Sequence, residues 1–328
     1  MAQSLFMSLK DRYPDCRISV MAPEWTRPLL ERMPQVEKSL DSPLVHGKLK
    51  LGTRRVMGKS LQKEGFTSAI VLPNSFKSAL IPFHAGISRR IGWRGEWRDL
   101  LLTDCRRLDK KNFPLMVQRF AALAHPGSDD PIQRVPRPKL VIDPANVEKA
   151  LQKFGMNTKG RVVAICPGAE FGASKQWPSR HYAVLSNALI AEGWTVWIFG
   201  STSDAGIAQA ILSDIETDDL SRCKDLTGRT SLAEAIDLMS TTDIVVSNDS
   251  GLMHIGAALD KPIVALYGST SPGFTPPLTE RAKLLSTDIE CRPCFKRDCP
   301  YGHKRCLTEL YPSRAIDAVN TLVSTNSQ

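Results

Sequence analysis

Long apolar runs are missing from this chain. No apolar stretch among its 328 residues approaches the roughly 20 residues that a membrane-spanning helix needs, and no signal peptide is visible at the N-terminus. Short-period repeats and low-complexity tracts are also absent. With 42% apolar and 23% charged residues, the composition is that of a soluble globular protein long enough for two domains.

Several familiar chemical motifs are absent as well. Neither half contains Gly-x-Gly-x-x-Gly after a strand, which excludes the usual dinucleotide fingerprint. No Gly-x-x-x-x-Gly-Lys-Ser/Thr sequence is present, so the chain has no P-loop, and no Gly-x-Ser-x-Gly elbow marks a hydrolase. A site must therefore be sought in the less regular loops that follow the strands.

The eight cysteines do not resemble a disulfide framework. Cys16 and Cys166 stand alone in predicted strands, which favours a reducing cytoplasm. The other notable feature is a Cys-x2-Cys-x4-Cys-x6-Cys cluster that encloses His303 and is formed by Cys291, Cys294, Cys299 and Cys306. This spacing is compatible with a structural zinc site, with a redox-sensitive loop, or with four reduced thiols, although it is not that of a zinc ribbon.

Positive charge exceeds negative charge, and it is unevenly placed. Lys and Arg number 43 against 34 Asp and Glu, a net charge of +9. Residues 86–119 are especially basic and contain Trp93 and Trp97. A solvated basic face, a nucleic-acid surface and contact with an anionic membrane all fit this pattern.

Strands alternate with helices in both halves, which predicts two doubly wound α/β domains facing a cleft. Proline and glycine interrupt the pattern near residues 126–138, so we place the domains at 1–135 and 136–311. We expect the last helix, 312–328, to pack back on the first domain. The alternation begins at a helix, one element late, which indicates that the first strand of the N-terminal domain is missing.

A strand, a polar turn and a helix follow one another in the segment 242–259. Ile244 to Val246 predict a buried strand, Asn248 to Gly251 are turn and N-cap residues, and His254 lies in the first turn of the next helix. The carboxyl ends of parallel strands and the N-termini of helices favour anionic or hydroxyl-rich ligands. An ordinary capped turn explains the local pattern equally well.

Three other loops follow predicted strands and should converge with this one. Ser174 and Lys175 suit phosphate, because they offer an oriented hydroxyl and a mobile positive charge. Asp204 suits sugar hydroxyls, the turn from Thr227 to Thr230 suits a base, and Asp249 provides a further carboxylate. Four such loops at one sheet edge predict a nucleotide-type ligand.

These loops resemble those of the ADP-heptose:lipopolysaccharide heptosyltransferases. The resemblance covers essentially the whole chain, and its most specific part is Asn-Asp-Ser-Gly-Leu-Met-His at 248–254. It implies a GT-B fold of two Rossmann-like domains, with the acceptor bound by the N-terminal domain and ADP-heptose by the C-terminal domain. The implied reaction is inverting transfer of L-glycero-D-manno-heptose from ADP-heptose to heptosyl-Kdo-lipid A, without an obligatory metal, at the cytoplasmic face of the inner membrane.

The resemblance also implies roles for individual residues. Lys175 and Asp249 are the predicted catalytic residues, and Lys175 would offset charge developing on ADP. The predicted donor-binding residues are Ser174, Lys175, Asp204, Thr227, Gly228, Thr230, Asp249, Ser250, Gly251 and His254. We further predict that Arg94 and Arg98 bind the phosphates and Kdo carboxylates of the acceptor.

One family motif has no counterpart. The Gly-Asp loop, whose Asp is the expected general base, would precede Met1, so we expect slower transfer than for a chain extended upstream. Two alternatives remain: a sugar-nucleotide-binding protein without transfer activity, and a basic zinc- and nucleic-acid-binding protein. Thermal shift with ADP-sugars, set against salt-sensitive binding to DNA or RNA, would discriminate them.

Overall fold

The computed structural model describes residues 1–44, 48–127 and 134–325, which form two compact units. Unit 1 comprises Met1–Arg27 and Gln35–Pro136, and unit 2 comprises Pro28–Pro34 and Arg137–Gln328. The sequence predicts one domain over the whole of 1–135, whereas Pro28–Pro34 belongs to unit 2. Arg32 explains the difference, because its guanidinium lies 2.7 Å from the buried Asp237 carboxylate of unit 2.

Unit 1 contains two small parallel sheets with helices between their strands. Its elements are α1 (Ala2–Arg12), β1 (Ser19–Ala22), α2 (Arg27–Leu30, which runs into unit 2), β2 (Lys38–Asp41), α3 (Leu51–Leu61), β3 (Ser68–Ile70), α4 (Phe76–His84), β4 (Arg89–Trp93), β5 (Asp104–Arg106) and α5 (Met116–Ala121). Strand β1 pairs with β2, and β4 lies between β3 and β5. Helix α3 packs closely on α4 at Gly58, where a Cβ would lie 2.5 Å from the His84 Cβ.

Unit 2 is organised around one six-stranded parallel sheet. Its elements are α6 (Pro144–Phe154), β6 (Val162–Cys166), α7 (Ser179–Ala191), β7 (Thr195–Ile198), α8 (Ala205–Ser213), β8 (Cys223–Asp225), α9 (Leu232–Ser240), β9 (Ile244–Asn248), α10 (Gly251–Ala258), β10 (Ile263–Leu266), β11 (Ala282–Leu285), α11 (Arg305–Thr308) and α12 (Pro312–Ser324). The strand order is β11-β10-β9-β6-β7-β8. Strands β6, β9 and β10 are buried along their whole length, as expected when helices cover both faces of a parallel sheet.

The last helix, α12, lies against unit 2. Ala315, Val319 and Leu322 on its apolar face join the core of unit 2 with Trp177 and Leu185. The helix contacts α7 and strands β9 to β11. Its apolar face is therefore buried within unit 2, where the sequence analysis expected packing on the first domain. Among the described helices, none combines the length and hydropathy that crossing a bilayer requires.

Candidate functional site

Five loops of unit 2 follow the carboxyl ends of neighbouring parallel strands. Strands β6, β7, β8, β9 and β10 end at Cys166, Ile198, Asp225, Asn248 and Leu266. Because all six strands are parallel, these ends meet at one edge of the sheet, which is where open α/β sheets bind ligands. The four loops singled out from the sequence are among the five, and the loop after β10 is an addition that the sequence analysis missed.

The centre of this edge is an ion pair between Lys175 and Asp249. The Lys175 Nζ lies 2.6 Å from the Asp249 Oδ2 and 3.3 Å from the Asp249 carbonyl oxygen. Both side chains are largely buried, with 14% of the lysine and 4% of the aspartate exposed. A pair of this kind holds the ammonium in one position, so the lysine cation is preorganised.

Two threonines complete the surroundings of Asp249. Thr270 Oγ1 donates a hydrogen bond of 2.7 Å to the Asp249 Oδ2, and Thr275 Oγ1 donates one of 3.4 Å to the Oδ1. Both carboxylate oxygens are thus occupied by protein donors. The arrangement indicates that Asp249 orients Lys175, whereas the sequence analysis also expected it to accept bonds from the sugar.

Lys175 is held by its own loop as well. It ends a short 3₁₀ turn, Ala173–Lys175, which follows Gly172 in a positive-φ conformation (φ 149°). A Cβ at Gly172 would lie 2.4 Å from the Arg297 carbonyl oxygen, so only glycine permits this approach. The Lys175 Nζ also lies 5.0 Å from the centre of the Phe171 ring.

Ser174 does not present its hydroxyl to a ligand. The residue is 2% exposed, its Oγ donates to the Lys296 carbonyl oxygen, and it lies 2.9 Å from the Ser269 Oγ. Its backbone N–H donates to the Arg297 carbonyl oxygen at 3.1 Å. The structure therefore corrects the predicted contact of the Ser174 side chain with the diphosphate, since this side chain fixes the loop instead.

The loops after β6, β7 and β8 approach one another closely. A Cβ at Gly168 would lie 2.5 Å from the Asp204 carboxylate, and one at Gly228 would lie 2.9 Å from Thr202. The Asp204 Oδ2 accepts hydrogen bonds from the Ser201 N–H and hydroxyl, at 2.8 and 2.7 Å. Asp204, predicted to suit sugar hydroxyls, thus lies at the junction of two loops, although part of its carboxylate caps its own turn.

The loop after β8 carries the residues predicted to suit a base. Thr227 is buried, and its N–H and hydroxyl donate to the Asp225 Oδ1 at 2.9 and 2.6 Å. Gly228 has a φ of +66°, and its N–H donates to the Gly200 carbonyl oxygen at 3.0 Å. Thr230 is half-buried. The backbone of this turn is consequently fixed against the neighbouring β7 loop.

Helix α10 begins at the edge of the sheet, beside the ion pair. Ser250 is its N-cap, accepting from the Met253 N–H at 3.5 Å, and Gly251 is its first residue. His254 is half-buried one turn further on. Asn248, read as a turn residue from the sequence, is instead the fully buried end of β9. Its amide donates to the Pro167 carbonyl oxygen at 2.6 Å and so ties two loops together.

In unit 1, the two arginines predicted to bind the acceptor have different environments. Arg94 has 53% of its side chain exposed and lies 3.9 Å from Asp99. Arg98 is fully buried and donates to the Trp93 carbonyl oxygen (2.8 Å), the Asn74 Oδ1 (2.9 Å) and the Pro73 carbonyl oxygen. Burial lowers the pKa of Arg98. Arg98 is therefore a structural cation, and the prediction that it contacts an acceptor is wrong.

The four clustered cysteines and His303 line one cavity next to Ser174. All four thiols are free, and no three His, Cys, Asp or Glu side chains within the described ranges are placed to hold a metal ion. A hydrogen bond from the Lys304 N–H lowers the pKa of Cys299, whereas burial raises that of Cys306 to about 11. A zinc site here stays a prediction.

The cysteine-containing loop has a structural role that the sequence did not reveal. Arg292 donates to the carbonyl oxygens of Gly268, Thr287 and Thr270, each at 3.1 Å. Thr270 in turn contacts Asp249. The loop thus supports the Lys175–Asp249 pair indirectly, through Arg292 and Thr270. In the sequence, the only indication of this role is a basic residue, Arg292, between two cysteines, and it does not show which groups Arg292 contacts.

Comparison with known proteins identifies the family to which this sheet edge belongs. Residues 54–305 match the sequence profile described as glycosyltransferase family 9 (heptosyltransferase). The chain belongs to glycosyltransferase family 9. The matched residues include the Lys175–Asp249 pair and all the loops that surround it.

Relatives in this family are similar over nearly the full chain. Lipopolysaccharide heptosyltransferase 2 of Escherichia coli K12 is 44% identical over 98% of this chain and 94% of its own length. Lipooligosaccharide heptosyltransferase 2 of Haemophilus influenzae is 44% identical over 99% of this chain and 95% of its own length.

Solved structures of the family share the fold. The structure of E. coli ADP-heptose LPS heptosyltransferase II superposes with a TM-score of 0.90 and 40% identity, covering 100% of this chain and 95% of that one. A family 9 glycosyltransferase from Veillonella parvula shares the fold at a TM-score of 0.82 with 18% identity, covering 99% of this chain and 93% of that one. The α/β, GT-B-like architecture predicted from the sequence is confirmed.

Proposed function

We propose that this family 9 glycosyltransferase transfers L-glycero-D-manno-heptose from ADP-heptose to the heptosyl-Kdo-lipid A inner core, with inversion. The observation that carries the proposal is the buried Lys175–Asp249 pair at the edge of the unit 2 sheet. A fixed ammonium at this place suits a diphosphate whose negative charge increases as the glycosidic bond breaks. Similarity to the E. coli ADP-heptose LPS heptosyltransferase II supports ADP-heptose as the donor and lipopolysaccharide as the class of acceptor.

In this proposal the loops of unit 2 divide the donor among them. Lys175, held by Asp249, contacts the diphosphate, and the N-terminus of α10 contributes beside it. Asp204 lies near the ribose, while Thr227, Gly228 and Thr230 line the base. Ser250, Gly251 and His254 face the heptose. Ser174 positions the loop, and Arg94 remains the arginine for the acceptor.

Replacement of Lys175 tests the proposal. We expect Lys175→Met to weaken ADP-heptose binding about tenfold or more, and to slow transfer by about 10²-fold, because the charge is needed most in the transition state. Lys149→Met, at an exposed position of α6, is the control. Isothermal titration measures binding, and mass spectrometry of a heptosyl-Kdo-lipid A acceptor measures transfer.

The outcomes separate the alternatives. Binding of ADP-heptose without any transfer by the wild-type chain would favour a sugar-nucleotide-binding protein. If Lys175→Met binds and transfers like the wild type, the site lies elsewhere. Repeating the transfer assay after dialysis against a chelator tests the expectation that no metal is required, and we expect an unchanged rate.

A further inference from the structure

The first half of the chain contains a basic segment, residues 48–63, that the proposed donor site does not use. Six of its sixteen residues are Lys or Arg and none is Asp or Glu; these are Lys48, Lys50, Arg54, Arg55, Lys59 and Lys63. It precedes the region 86–119, where the sequence analysis placed the basic surface. The positive charge of the basic segment favours binding of an anionic partner.

Helix α3 within the basic segment has two different faces. Arg54 and Gly58 are buried and face α4. Arg55 and Lys59 are exposed on the helix, and Lys63 is exposed in the 3₁₀ turn Gln62–Glu64 that follows it. None of these three cations has a salt-bridge partner in the part of the chain that the structure describes. Their charge is therefore available to a partner outside the chain.

Apolar side chains stand exposed between the cations. Leu49 is 50% exposed, Leu51 53% and Val56 68%. The backbone that carries the leucines is held in place, because the buried Arg54 donates from Nε to the Leu49 carbonyl oxygen (2.7 Å) and from Nη1 to the Lys77 carbonyl oxygen (3.0 Å). The leucines are thus presented on a fixed backbone at the start of α3.

We infer that the basic segment docks unit 1 on the anionic lipid headgroups of a bilayer. Lysine and arginine attract such headgroups, and apolar side chains among them enter the boundary between headgroups and acyl chains. A nucleic acid would use the cations but would leave the three apolar side chains in water. The inference deepens the proposed function, on which it rests for its biological sense, since a lipid-linked acceptor lies in such a surface.

Vesicle sedimentation with the full chain tests the inference. We expect binding to phosphatidylcholine vesicles that contain phosphatidylglycerol, weakened by salt, and little binding to phosphatidylcholine alone. Lys59→Gln with Lys63→Gln should lower the partition coefficient about tenfold or more. Lys149→Gln with Lys159→Gln removes the same charge from exposed positions of unit 2 and should leave it unchanged.

A second pair of variants identifies the kind of partner. Leu51→Ser with Val56→Ser keeps every charge and should lower vesicle binding about fivefold, because less apolar surface enters the bilayer. A surface built for a nucleic acid or an acidic protein would lose binding only in the glutamine variant. Any of three results would overturn the inference. They are a loss of binding in the glutamine variant alone, equal losses in the glutamine variant and its control, and no vesicle binding by the wild-type chain.

Failure of the inference can be told from failure of the proposed function. Transfer to a water-soluble heptosyl-Kdo glycan is measured on the same variants, and we expect the wild-type rate because the docking surface is not needed there. Vesicle binding without any heptose transfer would overturn the proposed function and support docking of the basic segment on lipid. Heptose transfer without vesicle binding would support the proposed function and overturn the docking.

Discussion

At the scale of single residues, Asp249 was predicted to contact a ligand, but its carboxylate is used to position Lys175. Its carboxylate is 4% exposed and accepts hydrogen bonds from Lys175, Thr270 and Thr275. A carboxylate enclosed in this way fixes the direction of the Lys175 ammonium. The positive charge of that ammonium can then act on a ligand. The same holds for Ser174, whose hydroxyl is used by the loop around it.

Thr270 provides a test of this support. Thr270→Val keeps the shape of the side chain but removes the donor to the Asp249 Oδ2, so we expect kcat to fall about five- to tenfold, with a smaller change in KM for ADP-heptose. Thr270→Ser keeps the hydroxyl and should restore kcat to within about twofold. Steady-state kinetics of both variants decides the matter, and equal losses in valine and serine would show a role in packing alone.

At the scale of secondary-structure elements, the segment that follows β4 is more structural than its charges suggested. Arg98 lies beneath a turn in which Glu96 and Trp97 both have positive φ, and Trp97 is 83% exposed. The Glu96 carboxylate accepts from the Phe76 N–H at 2.9 Å, at the start of α4. The basic residues of this stretch thus include a buried structural residue, Arg98, and an exposed one, Arg94.

Substitution of these two arginines should have different effects. Arg98→Met removes the donors to the Trp93 carbonyl oxygen and the Asn74 Oδ1, so we expect the free energy of unfolding to fall by about 2 to 4 kcal/mol. Arg94→Gln should leave stability unchanged and raise the acceptor KM, with no change in ADP-heptose affinity. Urea unfolding followed by tryptophan fluorescence and acceptor kinetics measure the two effects. An unaltered stability of Arg98→Met would contradict the structural role.

At the scale of the whole molecule, the division into units does not follow the chain in a simple order. Pro28–Pro34 belongs to unit 2, where the Arg32 carbonyl oxygen accepts from the Val141 N–H at 2.9 Å. The Arg32–Asp237 pair is nearly enclosed, with 10% and 2% of the side chains exposed. Asp237 Oδ1 is buried with no hydrogen-bond partner in the described ranges, and burial raises the pKa of this carboxyl. The pair is thus a specific tie with a high desolvation cost.

A double-mutant cycle measures this tie. Asp237→Ala leaves the Arg32 cation buried and unpaired, so we expect the free energy of unfolding to fall by about 3 to 5 kcal/mol. Arg32→Met leaves the Asp237 carboxylate without its cation and should also be destabilising. The double change Arg32→Met with Asp237→Ala should cost much less than the sum of the two single changes, since neither charge is then buried. Glu280→Ala breaks the exposed pair with Arg137 and should have no measurable effect. Additive losses in the cycle would contradict a direct interaction.

The sequence by itself determined the α/β alternation, the family, and the loops that meet at one edge of the unit 2 sheet. These features depend on local patterns: buried runs such as Ile244 to Val246, an N-cap at Ser250, and short loops whose order along the chain is specific. Parallel pairing then brings the loops together without further information. Lys175 and Asp249 were found in this way.

Only the tertiary structure decided which of those side chains remain free for a ligand. Burial of Arg98, the enclosure of Ser174 and Asp249, and the support from Thr270 and Arg292 depend on contacts between residues far apart in the chain. The transfer of Pro28–Pro34 to unit 2 likewise depends on a partner about two hundred residues away. A charge or hydroxyl in a loop looks the same in the sequence whether it faces solvent or a carbonyl oxygen, and only packing distinguishes the two.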